Sequence, residues 1–387
     1  MNNSQVIESV PLRIPILGLE KSFKIYFNAP SRLQYALEYM SSTSEVMADV
    51  KDAQSLPPNT FPFVLFYDEM ETGNPLGSHK GVHKIGMFYV GLRCMPPNQY
   101  SKLENIIILA CVPYKATKEI DHVLEYIVEE MNSLYINGIT IKNKRIRFKM
   151  IGLVGDNLGQ HQILGFTQSF RANHYCIRCK AHRDTCQKMC KLDVGLLRND
   201  ENYEEDVRIN DLSQTGVARN CVFNKVYDYN VTNDIIFDIM HDLLEGVCNF
   251  GMCGVLKKLI KLPGINLNVI NNRLECFDFG AHANRPLLLD ANQIEKMDLG
   301  MSASEMCNLV MYFSLIVGDL VPIDTPVWEY YLTLQLILDI ILPKSIKHQT
   351  ISYLESLITI HHSLYLEHFG LLEPKCHNML HYAECLR

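Results

Sequence analysis

The sequence predicts an α/β chain. Three strands run in antiparallel succession, then a helix, a strand, a second helix and a short last strand follow, and a long, mostly helical block is joined to them. Three observations predict this. Apolar runs recur at Phe61–Asp68, His83–Arg93 and Leu103–Val112, each of strand length and set apart by turn residues. An amphipathic segment, Lys118–Leu134, separates them from a fourth apolar run at Ile146–Gly155. From Thr232 to His381 strand signals are few, and apolar residues return at helical spacing.

The elements follow in order. Residues 1–60 read as a helical and irregular segment: Ser31–Met47 carries Leu33, Tyr35, Ala36, Tyr39 and Met40 at helix spacing before Pro57-Pro58 breaks the chain. Two tight connections, one through Asn74-Pro75 and one through Pro96-Pro97, make the first three strands a meander. The Lys118–Leu134 helix, ended by Asn137-Gly138, carries the chain over to the fourth strand and favours a parallel pairing for it. A helix over Gly159–Phe170 and a short strand near His174–Ile177 complete this part. Lys191–Tyr229 is polar and irregular, and helices are expected at 235–250, 255–262, 302–317, 327–342 and 346–369. The domains are therefore residues 1–60, a core at 61–179, a helical block at 180–376 and a return to the core at 377–387.

Composition bounds the function. The chain has 387 residues, 48% of them hydrophobic and 20% charged, enough for a large core. No apolar stretch approaches the ~20 residues that span a bilayer, so no membrane role is expected. Thirteen cysteines, with no secretory signal at the N-terminus, fit reduced thiols in the nucleus or cytoplasm. A formal net charge of −7 argues against nucleic acid binding over the whole surface. Two basic clusters remain: Lys142, Lys144, Arg145, Arg147 and Lys149, and His79, Lys80, His83 and Lys84. Each reads equally well as ordinary solvated charge.

Three groups of residues carry chemistry. Asp68 and Asp156 each close an apolar run. If the first and fourth strands are neighbours, both carboxylates emerge at one end of the sheet, where a hard cation such as Mg²⁺ relieves their repulsion. An aspartate after a strand is also an ordinary turn or cap residue. Cys176-Ile-Arg-Cys179 is half of a zinc site. His377 and His381, one helical turn apart, can supply the other half, and so can Cys186 and Cys190 in a local knuckle. Spacing does not choose between them. Asp238, His241, Asp242 and Glu245 fall along one helical stripe, which suits a metal or acid–base role, or a packed face with satisfied polar groups.

Six motifs in order carry a resemblance: FYDEMETGNPLGSHKGVHKIG, GDNLGQHQILGFTQSFRANHYCIRCK, DIMHDLLEGV, MSASEM, GDLVP and EPKCHNMLH. Over Phe61–His381 the chain resembles the catalytic region of CACTA (En/Spm-like) DNA transposases and of transposase-derived proteins of animal genomes. The resemblance implies an RNase H-like mixed sheet, interrupted by a large helical insertion, and metal-dependent DNA strand cleavage and transfer. It implies Asp68 and Asp156 as catalytic acids holding Mg²⁺ or Mn²⁺. By similarity to the plan of the V(D)J recombinase catalytic subunit, it implies a structural Zn²⁺ on Cys176, Cys179, His377 and His381. The resemblance thus favours this long-range site over the local knuckle, and the strong restriction of the unfolded chain by a long closed loop agrees with it.

The expected partners are DNA at transposon ends and a second copy of the chain. In that plan a third acid, a Glu, follows the His pair on a helix. Only Glu384 comes after His381, and it lies too close, so Glu245 is the candidate third acid. The sequence accordingly reads as a fragment or domesticated remnant with impaired catalysis. The alternative is an inactive, zinc-stabilised scaffold that binds a protein or chromatin partner. A weaker third reading is a metal-dependent hydrolase using Asp238, His241 and Glu245.

Overall fold

A computed structural model describes residues 26–27, 56–71, 84–93, 100, 102–113, 120–141, 143–281, 283–343 and 346–386. The helix expected at Ser31–Met47 lies outside these residues, as do Lys142, His79, Lys80 and His83. The strands are β1 (Tyr26–Phe27), β2 (Thr60–Glu71), β3 (Lys84–Leu92), β4 (Ile107–Pro113), β5 (Ile139–Ile141) and β6 (Lys144–Gly155). The α-helices, in chain order, are α1 (Ile120–Ile136), α2 (Asn157–Leu164), α3 (Arg183–Cys186), α4 (Asp200–Ile209), α5 (Leu212–Thr215), α6 (Asn249–Leu259), α7 (Leu267–Cys276), α8 (Ala291–Glu295), α9 (Ala303–Val317), α10 (Pro326–Ile341), α11 (His348–Phe369), α12 (Pro374–Met379) and α13 (Tyr382–Cys385). A π-helix, Met240–Cys248, precedes α6.

The chain divides into two compact units. The first comprises Met1–Gln168, Asn199–Leu212 and Val217–Ile236. It holds one mixed sheet in the order β1-β4-β3-β2-β6-β5. β2, β3 and β4 form the expected antiparallel meander, and β6 lies parallel to β2. The helical crossover thus returns the chain beside the first strand of the meander, across the sheet from the third. Helix α1 presents Ile120, Val123, Leu124, Ile127, Val128 and Met131 as a buried face and packs on β6. That 3.6-residue periodicity is why this stretch forms a helix, and the face it buries is why it packs on a sheet.

Two strands were not foreseen. β1 is two residues long, too short to show a pattern. β5 pairs with the start of β6 around Asn143, which takes a left-handed φ of 64°. Gly138, at φ +62°, allows the approach, because a Cβ there would meet Ile146 O at 2.4 Å. Two other expectations need correction. The second helix ends at Leu164 rather than Phe170, because Gly165 (φ 82°) makes a left-handed C-cap. The short strand expected at His174–Ile177 does not form. That stretch has turn and irregular backbone, and an isolated bridge forms only beyond it, between Cys179 and Leu197.

The second unit comprises Ser169–Arg198, Ser213–Gly216 and Phe237–Arg387. The cysteine-bearing loop therefore belongs, by its packing, with the helices and not with the sheet. The helical core is built on Leu309, Phe313, Tyr330, Tyr331, Leu334, Leu354 and Ile358, all essentially buried. Tyr331 donates its hydroxyl hydrogen to Val310 O and accepts from Ser314 N, so its one polar atom is satisfied inside the core.

The helix expected at 235–250 is a π-helix over Met240–Cys248. Its wider turn breaks the expected stripe. Asp242 is completely buried, while Asp238, His241 and Glu245 stay at least partly exposed. Asp242 accepts from Asn378 Nδ2 at 3.0 and 3.2 Å, and Lys375 Nζ donates to His241 O at 2.6 Å. Gly246 makes room for this lysine, since a Cβ there would meet Lys375 Cδ at 2.3 Å. The DIMHDLLEG motif thus docks on the KCHNMLH motif. Among the described residues no helix is long and apolar enough to cross a membrane.

Candidate metal centre

Four side chains from two distant stretches converge inside the second unit. Cys176, Cys179, His377 and His381 are all buried, and one potential ligand atom from each lies within 4.8 Å of the others. Among the described residues this is the one group of three or more such side chains able to share an ion. Cys179 Sγ is 3.2 Å from His377 Nε2, and Cys176 Sγ is 3.4 Å from His381 Nε2. The thiols and the Nε2 atoms face one common point.

Local structure explains each position. Leu372 N donates to Gln187 O, which fastens the segment before α12 to the cysteine loop. Pro374 opens α12, which carries His377. The two histidines do not share one helix as their spacing suggests. α12 ends at Met379, and His381 is the N-cap of α13. The rings still meet edge to face, with centroids 5.2 Å apart. Phe237 stacks on His381 at 6.0 Å, and Tyr175 meets His377 edge-on at 6.0 Å.

The four side chains act strongly on one another: the hydrogen bond with Cys176, then burial, push the Cys179 thiol up. Burial opposes ionisation of Cys176, but a hydrogen bond with Cys179 and the charges of His381 and His377 hold it well below the ordinary thiol range. Burial would push His381 down, yet the Cys176 charge, the contact with Cys176 Sγ and the nearby Glu384 carboxylate raise it. Arg178 N also donates to Cys176 Sγ at 3.3 Å, which favours a thiolate there.

The rival cysteines separate. Cys186 is buried, and its Sγ lies 3.7 Å from His377 Nε2. Burial, first, and the Cys176 charge push its thiol up to about 12, and it is not one of the four converging side chains. Cys190 is half-buried, and its Sγ lies 3.8 Å from Lys188 O. The local four-cysteine knuckle is therefore not formed.

Asp68 and Asp156 lie in the first unit. The β2–β6 register pairs Tyr67 with Gly155, so each aspartate follows one member of the same pair. Asp68 does not end its strand, because β2 runs on to Glu71. Asp68 is exposed and Asp156 is half-buried. Asp156 is the N-cap of α2, its Oδ1 accepting from Gly159 N at 2.6 Å. Burial, then Glu69, then the charges of Asp156 and Asp68 all push the Tyr67 phenol up. Both carboxylates thus act on one buried tyrosine.

Glu245 is exposed and lies in the second unit, with His241 Nε2 3.9 Å from its Oε2. Asp238 Oδ2 is 2.6 Å from His241 Nδ1 and orients that ring. Three side chains of the basic clusters have partners within the chain. Arg145 donates to Ile136 O and Asn137 O at the end of α1, Lys149 pairs with Asp228, and Lys84 pairs with Glu69.

No protein-family model and no curated protein matches the chain.

Proposed function

We propose that this chain is the catalytic region of a CACTA-like DNA transposase or a transposase-derived protein, with an RNase H-like core and a structural zinc in its helical unit. The observation that carries the reading is the β2–β6 register, which pairs Tyr67 with Gly155, the residues that immediately precede Asp68 and Asp156 on two parallel strands. The strand order supports it too: an antiparallel meander whose first strand takes the fourth, parallel, strand on its outer side.

The residues at the metal centre fit zinc. Two thiols and two imidazoles are the donor set of a closed structural site. Both rings bring Nε2 to the thiols, His381 to Cys176 and His377 to Cys179. Zinc bound there would tie the loop after the second acid to α12 and α13, and its binding energy would add to the stability of the helical unit. Asp68 and Asp156 would hold Mg²⁺ or Mn²⁺, which activates an attacking oxygen and stabilises the leaving one when bound. Glu245 is the candidate third acid. The substrates in this reading are transposon DNA ends, a second copy of the chain is a candidate partner, and the compartment is the nucleus or cytoplasm.

A second reading, a zinc-stabilised scaffold without catalysis, is favoured by Asp156 serving as a helix cap and by the net charge of −7. A nuclease and strand-transfer assay with Mg²⁺ or Mn²⁺ tests the two. Cutting that Asp68→Asn and Asp156→Asn both abolish supports the transposase reading, and loss in Glu245→Gln would promote Glu245. Cutting unaffected by all three variants, or no cutting by the wild-type chain, supports the scaffold.

A further inference from the structure

The metal centre has a feature that four ligands do not explain. A neutral imidazole that ligates through Nε2 must carry its hydrogen on Nδ1. His381 is fully buried, so that N–H needs an acceptor inside the protein. The nearest candidate is Glu384, one turn further on. Its Oε2 is buried without a hydrogen-bond partner and lies 3.9 Å from His381 Nδ1, itself buried and unpartnered. Two buried polar atoms without a hydrogen-bond partner thus lie 3.9 Å apart.

The other oxygen of Glu384 is already held. Oε1 lies 2.9 Å from Arg178 Nη2, and the Arg178 side chain is only 5% exposed. Arg178 sits between the two cysteine ligands, and its own backbone N–H donates to Cys176 Sγ. The carboxylate is thus anchored by the loop that supplies the thiolates. Charge balances as well. Two thiolates neutralise a divalent ion, and Glu384 neutralises Arg178, so the filled cluster carries no net charge into the interior.

We propose that Glu384 is the positioning residue of the metal centre: its carboxylate accepts the His381 Nδ1–H and aims Nε2 at the ion, while Arg178 holds the carboxylate in place. This rests on the zinc reading above. It gives Glu384, set aside as a catalytic acid, a different task. It also makes the two histidines unequal, because His377 Nδ1 has no such acceptor among the described residues.

The test uses the full chain loaded with zinc. Zinc affinity is measured by competition with a chelator, and the visible spectrum is recorded after replacement by Co²⁺. Glu384→Gln should weaken zinc binding by about 10- to 100-fold and shift the Co²⁺ bands, and Glu384→Asp should recover part of the loss. In the wild type, ¹⁵N-labelled histidine should show a protected Nδ1–H at His381 and Nε2 bound to metal. Affinity within twofold of wild type and unchanged bands in Glu384→Gln would overturn the proposal, and so would absence of that Nδ1–H signal should the variant fail to fold. Full zinc in His381→Ala would instead remove the metal centre itself, and this separates failure of the site from failure of the Glu384 role.

Discussion

Cys179 Sγ lies 3.2 Å from His377 Nε2, although 198 residues separate them in the chain. Such a contact orders its two partners only if something holds them there. The helical unit does so by docking the π-helix on α12 through Asp242–Asn378 and Lys375–His241. An ion shared by the four ligands would add the last tie. Stripping zinc with a chelator should therefore loosen the helical unit and lower its thermal midpoint. At a thousandfold excess of zinc over its dissociation constant, linkage is worth about 4 kcal/mol. Calorimetry with and without chelator checks this.

Asp242→Ala should destabilise the helical unit by about 1–3 kcal/mol, because it leaves the buried Asn378 amide without this acceptor. Asn378→Ala should cost at least as much, since a buried carboxylate loses its donor. Denaturant titration of both variants and of the double variant measures the coupling.

Much of this was legible in the sequence. The meander, the α1 crossover and β6 were readable because their apolar residues repeat at the period of the element they form. A parallel pairing for β6 followed from the helical crossover, and the structure supplies its place beside β2. Cys176, Cys179, His377 and His381 were legible from thiolate spacing and resemblance together, since spacing alone left Cys186 and Cys190 in contention. What failed was local geometry set by tertiary packing. The break between α12 and α13 and the π-helix at Met240–Cys248 accompany the buried Asp242–Asn378 bond, which no periodicity encodes. Glu384 beside His381 was present in the sequence three residues away, but only burial shows that its free oxygen and Nδ1 both lack a partner.

Asp156 carries two separable roles. Asp156→Ala should remove the α2 cap and cost about 1 kcal/mol of stability, whereas Asp156→Asn keeps a capping oxygen and should cost only a few tenths. Both should abolish any metal-dependent DNA cutting. Thermal unfolding of the two variants beside the cleavage assay separates cap from chemistry.

Glu130 on α1 gives a pH-dependent prediction. Burial pushes its carboxyl up from 4.5 to about 7, and its Oε1 has no hydrogen-bond partner. The native state therefore holds a proton that the unfolded chain has released, and stability falls as pH rises from about 4.5 to 7. Glu130→Gln should stabilise the protein by about 1–3 kcal/mol at pH 8 and by little at pH 4. Urea titrations at the two pH values check the sign.

The metal content of two purified variants tests the central claim most directly. Elemental analysis of the wild-type chain should find about one zinc per molecule, as a closed four-ligand site requires. His381→Ala should lose it, and Cys190→Ala should retain it in full. Full zinc in His381→Ala together with loss in Cys190→Ala would contradict the account and return the site to the local cysteines.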